Sequence, residues 1–201
     1  MSDRQPPGGG RVPDGITPSQ TVGPFFAYCL TPSAYDYRQI FSNDLTRDGT
    51  AGERIRIEGR VLDGDGAPVP DAMIEIWQAD AEGRYPQGAS GRNVAFQGFG
   101  RTECDGDGRF SFATVKPGPV PGPNGGAQAP HINVGLFARG VLRRMFTRIY
   151  FEDEAANSAD PILALVPEDA RSTLIARRTG AGTYSFDIRL QGDRETVFFE
   201  A

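Results

Sequence analysis

Polar and apolar positions begin to alternate at residue 54 of this 201-residue chain. In RIRIEGRV (54–61), Ile55, Ile57 and Val61 fall on one parity, the period of a strand with one buried face. The same pattern predicts strands over 71–77 (DAMIEIW) and 109–115 (RFSFATV, with Phe110 and Phe112 on one face). Others are expected within 127–140 (AQAPHINVGLFARG), over 148–151 and over 184–190 (YSFDIRL), with a last short one over 196–199. Asp-Gly-Asp-Gly at 63–66 and again at 105–108 marks turns, and the Pro/Gly-rich 116–126 marks a loop. One helix is predicted to start at Pro167, with Glu168 and Asp169 at its positive end, and to close with Arg177 and Arg178 before Gly180. Upstream, 17–28 carries two prolines and a glycine among aromatics and is expected to be extended and packed; 31–52 is irregular. The stretch 1–16, rich in Pro, Gly and charge, reads as a flexible arm. Together these predict a mainly β fold: a β-sandwich with one or two short helices, forming a single domain over 17–201 behind an arm over 1–16.

Composition narrows the classes. The chain is 38% hydrophobic and 23% charged, ordinary for a globular domain, and its 26 glycines and 16 prolines lack a repeat period, so they belong to turns. The net charge of −5 is made of interspersed signs; Arg143–Arg144 and Arg177–Arg178 are the densest basic points, so nucleic acid is not an expected partner. No apolar run reaches the length of a membrane span and the N-terminus lacks an apolar signal region, which makes the cytoplasm the expected compartment. Cys29 and Cys104 fit it as reduced thiols.

The candidate chemistry is sparse. Read as a calcium loop, the first Asp-Gly-Asp-Gly places Ala67 at the fifth position and Ile74 at the twelfth, where ligands are required, so hairpin turns are the better reading. There is no nucleophile elbow and no phosphate-binding glycine loop. His131 is the only histidine, and with two separated cysteines it cannot complete the usual imidazole or thiolate sites. Arg139, among apolar neighbours in LFARG, has two open roles: an ion pair with a structural carboxylate, or a planar fork aimed at an anionic ligand. Trp77, Phe25, Phe26 and Tyr28 read as core or interface residues.

Five stretches in order are more specific than any of these. TPSQTVGPFF (17–26), IEIWQADAEGRYP (74–86), TVKPGPVPGP (114–123), APHINVGLFARG (129–140) and YSFDIRLQGDRETVFF (184–199) resemble the intradiol ring-cleavage dioxygenases, from Thr17 to the C-terminus. The resemblance implies a β-sandwich and, for the two-chain members, alpha and beta chains of one fold, the beta chain holding Fe(3+) with two tyrosines and two histidines. The ligand positions carried over to this chain are Tyr85, Val120, His131 and Asn133. Two keep a suitable residue and two do not, and Gln128 stands about where the catalytic chain has an arginine. The resemblance therefore implies a vestigial site here, with the metal in a partner beta chain. It also implies that Thr21, Gly23, Pro24 and Arg139 line the substrate region, Arg139 facing the substrate carboxylate, while Phe25 lacks the hydroxyl of related chains. The expected activity is that of an alpha-type subunit in an alpha/beta assembly that opens 3,4-dihydroxybenzoate (protocatechuate) with O2 to 3-carboxy-cis,cis-muconate. The alternative is a silent β-sandwich binding module that has lost the iron site.

Overall fold

A computed structural model describes residues 21, 23, 29–39, 41–86 and 96–200; the arm over 1–16 lies outside them. The strands are β1 (Arg54–Leu62), β2 (Met73–Gln78), β3 (Phe99–Glu103), β4 (Arg109–Val115), β5 (Val120–Pro121) and β6 (Ala127–Gln128). They continue as β7 (His131–Phe137), β8 (Met145–Phe151), β9 (Ile175–Gly180), β10 (Thr183–Ser185) and β11 (Ile188–Arg189). β3, β2, β7 and β8 form one antiparallel layer. The other layer holds β9, β10, β1 and β4, with β11 beside the end of β1. A short parallel pairing of β8 with β9 joins the two layers. The far edges are tied by one segment: the amide of Arg101 on β3 bonds the Ser42 carbonyl, and Ala113 on β4 bonds Asn43 and Leu45. Neither edge is therefore left as an open template for another strand.

The period-two positions face inward as expected. Ile55, Ile57 and Val61 of β1 and Phe110 and Phe112 of β4 meet Ile74, Ile76, Ile132, Val134, Leu136, Ile149 and Phe151 of the opposite layer. A second cluster lies outside β7–β8, where Tyr150 and Ala129 pack under Leu163, Val166 and Leu174. The 3-10 turns Leu163–Leu165 and Arg171–Leu174 supply Leu163 and Leu174 to that cover.

Several boundaries differ from the sequence expectation. The helix predicted from Pro167 to Arg178 is not formed: turns bond Ala170 and Arg171 back to Pro167, a single 3-10 turn follows, and Arg177 and Arg178 lie in β9. Pairing with β8 and β10 outweighs the local helix signal. The run 184–190 breaks into β10 and β11 at Phe186 and Asp187, and the expected strand over 196–199 is reduced to a single bridge of Phe199 to Phe146. The Asp-Gly-Asp-Gly stretches are turns, as expected. Asp63 Oδ1 accepts from the amides of Asp65 and Ala67, and Asp105 Oδ1 from those of Asp107 and Arg109. Asp80 does the same for Glu82 and Arg84, so one Asp-x-x-Gly turn is used three times, each with its glycine at positive φ.

Candidate functional site

Three of the four ligand positions that the resemblance implies, Tyr85, His131 and Asn133, lie on or beside the outer side of β7. His131 and Asn133 share that side, opposite to Ile132, and Asn133 pairs with Trp77 on β2 and Arg148 on β8. The Asn133 Nδ2 donates to the Tyr85 hydroxyl at 3.1 Å and to the Trp77 carbonyl at 3.2 Å. Tyr85 stacks on Trp77, ring centroids 5.7 Å apart and 17° from parallel. Three of the expected positions are thus placed in one neighbourhood or on one strand face, and a donor amide meets the phenol oxygen.

His131 is buried, and its Nδ1 lies 2.8 Å from the Ala129 carbonyl. A carbonyl only accepts, so Nδ1 carries the proton. Burial and the nearby Arg148 cation both hold the imidazole below its ordinary pKa. Cross-strand from it, the Tyr150 hydroxyl donates to Asp160 Oδ1 at 3.1 Å, and burial pushes that phenol up to about 12. Asp160 also accepts the amides of Ala129, Ile162 and Leu163. Arg148 reaches Gln128 Oε1 at 2.7 Å and the Tyr150 oxygen at 3.3 Å. Gln128 in turn bonds the Pro121 carbonyl, tying the β5–β6 hairpin to the same network. Val120 is buried in that hairpin.

This donor set does not fit a ferric ion. Val120 offers no lone pair, and the Asn133 amide presents N–H rather than a lone pair to the Tyr85 oxygen. Among the described residues no group of three or more His, Cys, Asp and Glu is placed to hold a metal. The sequence pattern places Arg148 and Tyr150 on a strand without pointing to the role of either, and leaves Asp160 unmarked except as a residue ahead of a proline.

The second group of candidates lies at the other end of β2 and β7. Arg139 follows β7, and its Nε donates to Asp71 Oδ2 at 2.9 Å. The Thr21 hydroxyl accepts the Gly140 amide at 2.8 Å, so Thr21 is brought against the Arg139 turn. A Cβ added at Gly23 would meet open space. Pro24, Phe25, Phe26 and Tyr28 lie outside the described residues.

The sequence profile of the family described as "Dioxygenase" matches residues 21–192. The chain belongs to the intradiol dioxygenase family. It is 47% identical over 196 residues to the protocatechuate 3,4-dioxygenase alpha chain of Burkholderia cepacia, covering 92% of this chain and 96% of that one. The protocatechuate 3,4-dioxygenase beta chain of the same organism is 38% identical over 168 residues, covering 75% and 72%. Among solved structures, the dioxygenase domain of a carbohydrate-binding fusion protein from Streptomyces sp. SirexAA-E superposes with a TM-score of 0.59 at 26% identity, over 88% of this chain and 99% of that one. This intradiol family is iron-dependent, and alpha and beta chains of one enzyme are both relatives of this intradiol chain. Among the described residues no helix is long and apolar enough to cross a membrane.

Proposed function

We propose that this chain is the alpha subunit of a protocatechuate 3,4-dioxygenase, and that a beta chain supplies the Fe(3+) site. The observation that supports this reading is the Asn133 amide seated on the Tyr85 hydroxyl, with Val120 at another of the four positions: the chain keeps the fold but only two of the four residues an iron site would need. In the assembly the ferric ion of the beta chain would supply the chemistry of substrate activation toward O2. This chain contributes the wall of the site through Thr21, Gly23, Pro24 and Arg139, and the surface on which the beta chain sits. The unit is a single domain over 17–201 working in the cytoplasm. Cys104 fits that compartment as an unreactive buried thiol, pushed up to about 12 by burial.

The test is iron content and oxygen-dependent protocatechuate cleavage, for this chain alone and co-expressed with a beta-type partner. Iron and activity in the mixed complex only is the expected result. Both in the isolated chain would overturn it. A stable fold with neither, in either preparation, would leave the silent binding module.

A further inference from the structure

We infer that Asp71 is a positioning residue for substrate recognition, holding the Arg139 guanidinium by Nε so that its two terminal nitrogens are free to grip a carboxylate. The inference rests on the reading that Arg139 meets the substrate. Met73 and Phe137 are register partners across β2 and β7, so Asp71 and Arg139, each two residues further out, face each other beyond the sheet's end. Asp71 Oδ2 takes the Nε proton at 2.9 Å. Neither Nη nitrogen bonds a described residue, and the Arg139 side chain is 79% exposed.

The backbone beneath it is fixed on both sides. Ala138 is buried, the Val141 amide closes a turn onto the Ala138 carbonyl at 3.1 Å, and Thr21 accepts the Gly140 amide at 2.8 Å. Gly140 has φ +83°, a conformation that a side chain would strain. An arginine is long and rotamer-rich, and much of what it can contribute to binding is lost in ordering it. Here the turn, the threonine and the aspartate do that ordering before the ligand arrives. The end-on pair of Nη donors that remains matches the two oxygens of a benzoate carboxylate. An ion pair this exposed adds little to folding, which leaves orientation as its main effect. The Asp71 charge also repels an incoming carboxylate. Solvent screens that repulsion at the exposed rim, so orientation outweighs it, and the sign of the effect is itself a test.

Steady-state kinetics on the assembled alpha/beta complex, with protocatechuate and with unsubstituted catechol, decides the matter. Asp71→Ala is expected to raise KM for protocatechuate about threefold to tenfold with kcat within about twofold, and to leave catechol unchanged. Asp71→Glu should restore most of the loss, and Asp71→Asn, isosteric and safe for assembly, should shift KM the same way by less. The double variant with Arg139→Ala should be no worse than Arg139→Ala alone. A lowered KM in Asp71→Asn, equal changes on both substrates, or additive losses would overturn the positioning role. If Arg139→Ala shifts protocatechuate relative to catechol while the Asp71 variants do not, the inference alone fails. If Arg139→Ala shifts neither, its role in the proposed function fails too.

Discussion

Tyr85 carries the phenol that an intradiol iron site requires, yet its oxygen accepts a hydrogen bond from Asn133, so the nearest neighbour decides its chemistry. If that bond is structural, Tyr85→Phe should cost about 0.5–1.5 kcal/mol in a denaturant melt and leave iron content and turnover of the complex unchanged. Loss of iron on that substitution would make Tyr85 a ligand after all. His131 gives a pH signature. Its folded pKa lies below the ordinary 6.5, chiefly through burial, so above pH 6.5 folded and unfolded forms are both neutral and the full stability is present. As the pH falls below 6.5, the unfolded chain takes a proton that the folded chain refuses. Stability then drops by up to about 1.4 kcal/mol per pH unit until the folded pKa is reached. Asp153 acts only further down: burial raises its carboxyl, but Lys116 and Tyr184 overcome that and hold it below its ordinary 3.8. Melts between pH 6.5 and 5 should therefore slope in the parent and flatten in His131→Gln; parallel profiles would remove His131 as the cause. The positions of Tyr85, Val120, His131 and Asn133 were legible because motif spacing carries them. The network of Arg148, Gln128, Tyr150 and Asp160 was not, because it depends on the register that sets Asn133 against Arg148 and His131 against Tyr150.

Strands that bury one face announced themselves; those whose role is to join or close the sheet did not. β1 and β4 alternate cleanly, and their expected spans agree with the structure to within a residue. β3 gives no such signal, because its one buried position is Gly100, where the side chain of Leu45 takes the place of a Cβ. β9 pairs with β8 through only Ile175 and Ala176 and is otherwise exposed and arginine-rich, so its local composition favoured a helix that tertiary pairing overrode. The Phe186 break also has a physical cause. Its amide bonds the Glu58 carbonyl, Asp187 caps the Arg60 amide, and the Phe186 carbonyl comes so close to Gly59 that a Cβ there would collide with it. Gly59 is thus required by close approach rather than by its φ. Gly59→Ala should force β1 away from the β10–β11 break and cost roughly 2–4 kcal/mol, read as a lower urea midpoint at unchanged slope. A loss below about 0.5 kcal/mol, within the range of ordinary surface substitutions, would show that the break yields easily.

At the scale of the molecule, the outer face of the β3–β2–β7–β8 layer is not finished as a solvent surface. Phe99, Trp77, Asn133 and Arg148 form one row across it, with Trp77 36% exposed over Tyr85 and Phe41 40% exposed against Phe99. Aromatics grouped on one face are the composition of an interface centre more than of a free rim. If the chain is one half of an alpha/beta pair, a second chain seated on this face would bury the exposed parts of Trp77 and Phe41. The chain has one tryptophan, so Trp77 is a unique reporter. Incorporating 5-fluorotryptophan into this chain alone gives a single 19F resonance from Trp77. In the free chain that resonance should shift between H2O and D2O, because the ring meets solvent. On adding the unlabelled beta chain, the solvent shift should collapse while the line broadens with the size of the assembly. A broadened line that keeps its full solvent shift would mean that assembly occurs elsewhere, leaving the Trp77 face to some other contact and moving the interface toward the Thr21–Arg139 edge.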